Sequence, residues 1–170
     1  FQRDVGHRLL DKLPNDLSGL KVLDLGCGTG YFSYQLLSRG ADVVCADLSQ
    51  EMLNQSKLRC GDQISSYQQA DAEQLPFENQ SFDIVFSSLA LQWCDDLSVP
   101  LREIKRVTKR GGSVLFSTLL DGSLFELQKS WNKIDTHQHV NNFISENQVK
   151  IALAQSSCEA HQLDLPSITV

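Results

Sequence analysis

Apolar and polar positions alternate with two different periods along the first 120 residues. Short runs bounded by turn residues predict five strands, at "KVLDL" (21–25), "ADVVCADL" (41–48), "ISSYQQAD" (64–71), "FDIVFSSL" (82–89) and "SVLFSTLL" (113–120). Helical periodicity predicts helices through "VGHRLLDKL", "YFSYQLLSRG", "SQEMLNQSKLRC" and "LREIKRVTKR", the last closed by Gly111 and Gly112. Strands that alternate with helices of this length predict an α/β fold with a doubly wound, mostly parallel sheet.

The pattern changes after Leu120. Two helical stretches, "SLFELQKSWNKI" and "SENQVKIALAQS", follow each other without a strand between them, and "HQLDLPSITV" then alternates like a strand. A chain of 170 residues suits one domain with a single core, so we predict one domain over residues 1–170. Because the chain ends inside a predicted strand, we expect the domain to continue beyond it.

Composition narrows the functional classes. Apolar runs are too short to span a bilayer and no signal peptide opens the chain, so we expect a cytoplasmic protein. The five cysteines are odd in number and lack C-x-x-C spacing, which disfavours a disulfide framework and a zinc ribbon. A net charge of −6 disfavours non-specific binding to nucleic acid.

A glycine-rich turn, "VLDLGCGTGYFS", joins the first predicted strand to the next helix. Gly26, Gly28 and Gly30 stand where the backbone must turn sharply and come close to a ligand. A nicotinamide dinucleotide loop would place its third glycine at position 31, which is Tyr31, so that class of oxidoreductase is disfavoured. A glycine loop alone is a weak signal, and a purely structural turn remains an alternative.

Three carboxylates strengthen the case for a ligand. Asp24 comes just before the loop, where it can face an amino group. Asp47 ends the second strand, at the spacing from the loop where a carboxylate accepts from both hydroxyls of a ribose. Asp71 ends the third strand and can accept from an exocyclic amine such as adenine N6. Each alone also suits a cap or a turn, but together they line the carboxyl edge of consecutive strands.

These residues carry a family resemblance. "VLDLGCGTG", "ADLSQEML", "QADAEQLPF" and "FDIVFSSLALQW" resemble the successive motifs of class I S-adenosylmethionine-dependent methyltransferases. The resemblance implies a Rossmann-like, seven-stranded sheet of order 3-2-1-4-5-7-6, in which the seventh strand is antiparallel and is expected to be missing here. It also implies S-adenosyl-L-methionine as cofactor. The implied cofactor-binding residues are Asp24, Gly26, Cys27, Gly28, Gly30, Asp47, Leu48, Met52, Asp71, Ala72 and Ser87.

The methyl acceptor must be sought elsewhere. "TLLDGSLFELQKSWNKIDTHQHVNNF" is similar to a segment of malonyl-acyl-carrier-protein O-methyltransferases of the biotin pathway, as are "LQWC" and "FQRDVGHRLL". The matching positions are Ser123, Leu124, Glu126, Leu127, Trp131, Asp135, His139, Asn141 and Phe143. The similarity implies methyl transfer to the free carboxylate of a malonyl thioester on acyl carrier protein, with residues 119–157 as a helical insertion on the substrate side.

The acceptor carboxylate is already ionised at neutral pH, so the expected catalysis is by positioning, without a general base or a metal. Trp131, His139 and Asn141 are the candidates for orienting the malonyl group. The alternative is that they only fix their own loop through hydrogen bonds to the backbone. Trp93, after the fourth strand, is either a wall of the substrate pocket or a core residue. His137 has no counterpart in the family pattern, and we expect it to be solvated.

An acidic carrier protein is an awkward partner for a chain of net charge −6, so a local basic patch is expected to steer it. The candidates are Arg102, Lys105, Arg106, Lys109, Arg110, Lys129 and Lys133. A merely solvated helix face is the alternative for these charges. We expect a monomer that binds neither nucleic acid nor membrane.

Two other functions remain open at this point. A methyltransferase acting on another small molecule, such as a quinone precursor, would share everything up to Thr118 but is not expected to carry the "SLFEL…W…HVNNF" segment. A non-catalytic domain that binds S-adenosylmethionine would bind the cofactor without consuming it.

Overall fold

The computed structural model describes residues 1–123, 143–157 and 164. The strands in this part are β1 (Lys21–Leu25), β2 (Asp42–Asp47), β3 (Ser66–Gln69), β4 (Phe82–Ser88) and β5 (Thr108–Ser117). The helices are α1 (Gln2–Leu10), α2 (Tyr31–Ser38), α3 (Gln50–Cys60), α4 (Ser98–Val107) and α5 (Glu146–Gln155). Two short 3-10 helices, Gly61–Gln63 and Leu91–Trp93, follow α3 and β4.

The five strands form one sheet of order β3-β2-β1-β4-β5, in which every neighbouring pair is parallel. The doubly wound α/β fold predicted from the sequence is therefore confirmed. The order also agrees with the first five positions of the seven-stranded sheet that the resemblance implied. The strand predicted at "HQLDLPSITV" lies outside the described residues, apart from Asp164.

Side chains of the central strands point alternately to the two faces of the sheet and form a hydrophobic core on each. On one face, here called the α2 face, Val22 and Phe86 pack with the apolar sides of α1, α2 and α3. On the other, the α4 face, Leu23 and Val85 pack with α4 and α5. Strands buried on both sides explain why their sequences are continuous apolar runs.

The boundary between α4 and β5 differs from the prediction. The helix expected through Arg110 ends at Val107, and Lys109 and Arg110 belong to β5. Phe82 of β4 pairs with Thr108, whereas Ile84, two residues on, pairs with Ser113, so β5 bulges at this point. Pairing with β4 overrides the helical preference of the basic residues, a tertiary effect that local pattern does not reveal.

Capping residues begin two of the helices at the predicted places. The Ser49 hydroxyl accepts a hydrogen bond from the Met52 N–H at 3.3 Å and starts α3, at the first residue of the predicted helical stretch. Ser145 and Gln148 form a reciprocal capping box that starts α5. Within the described part of the chain, every helix is too short or too polar to cross a bilayer.

Candidate active site

The glycine loop leaves the carboxyl end of β1 and is tied to the carboxyl end of β2. The N–H groups of Gly26 and Cys27 both donate to the Ala46 carbonyl, at 2.8 and 3.1 Å. Gly30, with a left-handed φ of +76°, directly precedes α2. The loop therefore lies at the centre of the sheet edge where parallel α/β sheets bind ligands.

Two of the glycines differ in what surrounds them. A Cβ on Gly26 would lie 2.2 Å from Ala90 Cβ, so the loop packs closely against the segment that follows β4. A Cβ on Gly28 would meet nothing within 4 Å, although its φ of +53° is also left-handed. The backbone is thus exposed to open space at Gly28, which is what close approach of a cofactor to the loop requires.

Asp47 connects the loop to the end of β2. Its Oδ2 accepts from the Gly28 N–H at 2.8 Å, and its Oδ1 accepts from the Ser49 N–H at 2.9 Å. An ionised carboxylate offers about four acceptor positions, so two remain for the hydroxyls of a ligand. The residue predicted to bind a ribose therefore stands in contact with the predicted cofactor loop.

Asp24 lies beneath the loop and is buried, with 2% of its surface exposed. Burial raises the pKa of its carboxyl group to about 7, against the opposing effect of the hydrogen bond that the Ser33 hydroxyl donates to Oδ2 at 2.5 Å. The negative charge of Asp47 adds a smaller upward effect on this pKa. A nearby cation would favour the ionised form, which agrees with the predicted amino-group partner.

Thiols and hydroxyls pack around Asp24 on the α2 face. The Cys45 thiol lies 3.2 Å from Ser33 Oγ and 3.6 Å from Ser56 Oγ. Hydrogen bonding with Cys45, together with burial, raises the pKa of the Cys27 thiol, so Cys27 is a neutral loop residue and not a reactive thiolate. Cys60 is also buried and Cys94 partly so, and none of these four forms a disulfide.

The remaining predicted cofactor residues lie along the same edge. Leu48 is exposed and Met52 half-buried, beside the end of β2. The Ala70 N–H donates to the Asp47 carbonyl at 3.0 Å, which brings Asp71 and Ala72 next to this strand end. One carboxylate oxygen of Asp71 accepts from the Glu73 N–H at 2.9 Å, so Asp71 also fixes a turn.

The segment after β4 forms the opposite wall. Ser87 is fully buried, and its hydroxyl has no hydrogen-bond partner. Trp93 is 72% exposed, so the interpretation of Trp93 as a core residue is wrong, and it stands at the surface beside the loop end of β4. The sequence reasoning missed Gln92 and Thr118, which carry the two other unpaired buried polar atoms of the described residues.

The acceptor residues predicted from the resemblance, Trp131, His139 and Asn141, lie outside the described residues, as do Lys129 and Lys133. Among residues 1–123, 143–157 and 164, no group of three His, Cys, Asp or Glu side chains is placed to hold a metal ion.

Arg106 has a structural role that the docking hypothesis did not foresee. All five of its N–H groups donate hydrogen bonds, to Glu103, Asn79 and the backbone carbonyls of Leu75 and Phe77. The guanidinium therefore fastens the segment before β4 to α4. Its donors are committed within the fold and are not free to bind a partner.

Two more of the basic candidates are engaged. Lys109 pairs with both carboxylate oxygens of Asp83 at 2.9 Å, and Lys105 Nζ donates to the Ser157 carbonyl at 2.5 Å. Lys109 and Arg110 also stand at the amino end of β5, the edge of the sheet opposite the glycine loop. Arg102 lies near the start of α4, where its Nη1 donates to the Ser98 hydroxyl at 3.1 Å, and it makes fewer such bonds than Arg106.

Comparison with known proteins agrees with this geometry. A family of methyltransferase domains matches residues 23–116. The malonyl-[acyl-carrier protein] O-methyltransferase of Hamiltonella defensa is 47% identical over 88% of this chain and 57% of its own length. That of Serratia marcescens is 45% identical over 91% of this chain and 59% of its own. The chain thus spans a little under three fifths of the length of these two curated relatives.

A solved structure shows the same architecture. The S-adenosylmethionine-dependent methyltransferase of Mesorhizobium loti is 35% identical, with a TM-score of 0.62 over 67% of this chain and 53% of that one. The family match covers the glycine loop, the five strands except for Lys21, Val22 and Ser117, and the wall after β4. The chain therefore belongs to the methyltransferase domain family.

Proposed function

We propose that this protein transfers a methyl group from S-adenosyl-L-methionine to the free carboxylate of a malonyl thioester on acyl carrier protein, an early step of biotin synthesis. The observation that carries the proposal is the extent of the similarity. Identity of 47% extends over 88% of the chain, well beyond residues 23–116 that define the general methyltransferase domain. The similarity therefore includes part of the chain after residue 116, which we assign to the acceptor side.

The described residues suit the proposed cofactor. Open space at Gly28 admits the ligand to the loop, and Asp47 has acceptor positions left for ribose hydroxyls. Asp24 is placed to balance an ammonium group, and Leu48 and Met52 offer apolar contact for an adenine. The bound cofactor would supply an electrophilic methyl group on a sulfonium.

The chemistry asks the protein for positioning. One carboxylate oxygen of the acceptor bonds to the methyl carbon as the bond from that carbon to sulfur breaks, and the charges of sulfonium and carboxylate disappear together. A malonyl carboxylate is ionised at pH 7, so no proton has to be removed. Alignment in a site that excludes water is sufficient to account for much of the rate.

The remaining parts of the proposal concern the acceptor side. Residues 119–157 form the substrate-side insertion, in which Trp131, His139 and Asn141 orient the malonyl group. Within it, α5 packs against the α4 face of the core through Val149 and Ala152. The protein acts as a cytoplasmic monomer, with Arg102 helping to steer the acidic carrier.

A mass measurement tests the proposal. The protein is incubated with S-adenosyl-L-methionine and malonyl-carrier protein, and the carrier is examined by intact mass for the added methyl group. Acetyl-carrier protein, which has no free carboxylate, is the control acceptor. Cofactor binding without any methylated carrier would contradict the proposal and favour a non-catalytic binding domain. Methylation of a quinone precursor but not of malonyl-carrier would favour the other alternative.

A further inference from the structure

Three buried polar atoms at the site have no hydrogen-bond partner. They are the hydroxyl oxygens of Ser87 and Thr118 and the Oε1 atom of Gln92, and they are the full set of such side-chain atoms in the described part of the chain. Buried polar atoms without partners are destabilising and rare in native proteins. Ser87 and Thr118 lie at the ends of β4 and β5, and Gln92 lies in the 3-10 helix that follows β4, so all three are at the loop edge of the sheet.

The sheet register places two of these atoms on one face. Ser87 pairs with Phe116 of β5, and Phe116 packs on the α4 face together with Val85. Ser87 lies two residues beyond Val85, and Thr118 two residues beyond Phe116. Both therefore face the α4 side. The usual strand spacing and rise place their Cα atoms about 8 Å from each other. We call Ser87, Gln92 and Thr118 the hydroxyl–amide recess.

Neighbouring hydroxyls on the α2 face, by contrast, have hydrogen-bond partners within the protein. Ser117 Oγ accepts from the Leu89 N–H at 3.1 Å and lies 3.5 Å from Ser88 Oγ. These contacts support Leu89, which has a left-handed φ of +53° although it is not a glycine. A strained residue held in this way is typical of functional sites and turns the chain sharply after β4.

Gln92 is oriented by the same turn. Its Nε2 donates to the Leu89 carbonyl at 2.6 Å. Because a carbonyl needs a donor, nitrogen must face Leu89, and the unpaired atom of the amide is therefore the acceptor Oε1. The recess thus offers two hydroxyl donors and one amide acceptor.

The recess is connected to the cofactor loop through Ala90. The close approach of Gly26 and Ala90 leaves no room for a Cβ on Gly26, so the turn that carries Gln92 packs directly on the loop. The recess lies at the ends of β4 and β5, whereas Asp24 and Asp47 lie at the ends of β1 and β2. This position is beside the predicted cofactor and on the acceptor side of it.

We propose that the hydroxyl–amide recess binds the carboxylate-bearing end of the methyl acceptor. The hydroxyls of Ser87 and Thr118 donate to the carboxylate, and Gln92 Oε1 accepts from an amide N–H of the arm that carries the thioester. The inference rests on the proposed function and moves Ser87 from the cofactor to the acceptor. The methionine end of the cofactor also bears a carboxylate and N–H donors, so the test must distinguish the two sources.

Thr118→Val and Ser87→Ala remove one hydroxyl each with little change of shape. We expect each to raise the KM for malonyl-carrier about tenfold, the loss typical of a hydrogen bond to a charged group. The Kd for S-adenosyl-L-methionine, measured without acceptor, should stay within about twofold. Inhibition by acetyl-carrier should not change, because that ligand has no free carboxylate to which the removed hydroxyls could donate.

Thr108→Val is the matched control, at the other end of β5. Thr108 is buried, but its hydroxyl donates to the Ile104 carbonyl at 2.6 Å. This variant should lower Tm and leave the KM unchanged, whereas Thr118→Val should not lower Tm, because it removes an unpaired group.

An unchanged KM in both recess variants would overturn the inference. A weaker Kd for S-adenosyl-L-methionine in step with the KM would also overturn it, by assigning the recess to the methionine carboxylate.

If the wild type methylates no malonyl-carrier, the proposed function fails separately. Malonyl- and acetyl-pantetheine are then compared by thermal shift with S-adenosylhomocysteine present. Preference for the malonyl form that Thr118→Val abolishes supports the recess, and equal shifts reject it.

Discussion

The Gly28 N–H donates to Asp47 Oδ2 at 2.8 Å, so the carboxylate predicted to bind a ribose also fixes the glycine loop. The other oxygen accepts from the Ser49 N–H, at the residue that caps α3. One side chain therefore joins the loop after β1 to the end of β2 and the start of α3. The cofactor site is set in shape by the same residue that is expected to contact the ligand.

Asp47→Asn should weaken binding of S-adenosyl-L-methionine by about ten- to a hundredfold, because hydrogen bonds to a charged group are lost and the single amide oxygen cannot replace both carboxylate oxygens that accept from Gly28 and Ser49. Isothermal titration measures the Kd directly. Asp42→Asn, at the opposite end of β2, is the control, since Asp42 accepts from the Ser65 hydroxyl far from the loop. Equal affinity in the two variants would contradict a binding role for Asp47.

Asp24 should make the stability of the ligand-free protein depend on pH. Its pKa is raised by burial to about 7 from a usual value of 3.8, so the folded state retains a proton that the unfolded state has lost. Stability from this group is fully present below pH 3.8 and is lost as pH rises to about 7, by at most about 4 kcal/mol. Denaturant titrations from pH 4 to pH 8 check this fall, and Asp24→Asn should flatten it.

Cofactor binding should release a proton from Asp24. Below pH 7 part of the carboxyl population is protonated, and an arriving ammonium group favours the ionised form. Titration calorimetry of S-adenosyl-L-methionine at pH 6, in two buffers of different ionisation enthalpy, measures the proton count. Release in the wild type and none in Asp24→Asn is the expected result. Equal counts in both would place the ammonium group elsewhere.

The local sequence pattern predicted much of the fold, and two elements show where it succeeded and where it failed. "KVLDL" forms β1 over the predicted residues, because a strand buried on both faces leaves a continuous apolar run. The predicted end of α4 was wrong, because the pairing of Thr108 and Ser113 with β4 decides where the helix ends. Pairing between distant strands has no signature in the local sequence.

The site divides in the same way. The places of Asp24, Asp47 and the glycines follow from strand ends and spacing, which a single sequence displays. Gln92 and Thr118 were missed, because their lack of partners depends on the register of β4 and β5. The role of Arg106 was equally hidden, since two of its five hydrogen bonds go to the backbone carbonyls of Leu75 and Phe77, about thirty positions earlier.

Gly26→Ala should destabilise the protein and weaken cofactor binding. The left-handed φ of +72° is unfavourable for alanine by about 1–2 kcal/mol, and the new Cβ would meet Ala90 Cβ at 2.2 Å. Adding Ala90→Gly should restore the part of the loss that is due to the clash. The free energy of unfolding of both single variants and of the double variant measures this coupling.

Gly28→Ala is the matched control for that experiment. It carries a comparable left-handed strain, but its Cβ has nothing within 4 Å in the ligand-free protein. It should lose less stability than Gly26→Ala, and Ala90→Gly should not rescue it. Rescue of both variants to the same extent would show that Ala90→Gly acts generally and not through contact with Gly26.

Arg106→Lys should lower the free energy of unfolding by about 2–4 kcal/mol without changing the KM for carrier-bound substrate. A lysine keeps the charge but cannot reproduce the five hydrogen bonds to Glu103, Asn79 and the carbonyls before β4. Arg102→Lys, one turn earlier, loses at most one hydrogen bond to Ser98 and should be nearly neutral in stability. A higher KM in Arg106→Lys at unchanged stability would restore Arg106 as a docking residue.

Trp93→Ala should leave stability nearly unchanged and raise the KM for malonyl-carrier several-fold. The side chain is 72% exposed, so its truncation removes little buried apolar surface from the fold. It stands next to Gln92 at the acceptor end of the site, where an exposed indole offers contact area to an arriving arm or carrier. Leu58→Ala, at an 81% exposed position on α3, is the control for loss of a surface hydrophobic side chain.

Steady-state kinetics with malonyl-carrier and with malonyl-pantetheine separates the two contacts. A higher KM for both substrates assigns Trp93 to the arm, and a higher KM for malonyl-carrier alone assigns it to the surface of the carrier protein. The same KM as Leu58→Ala with both substrates would show that Trp93 has no part in acceptor binding.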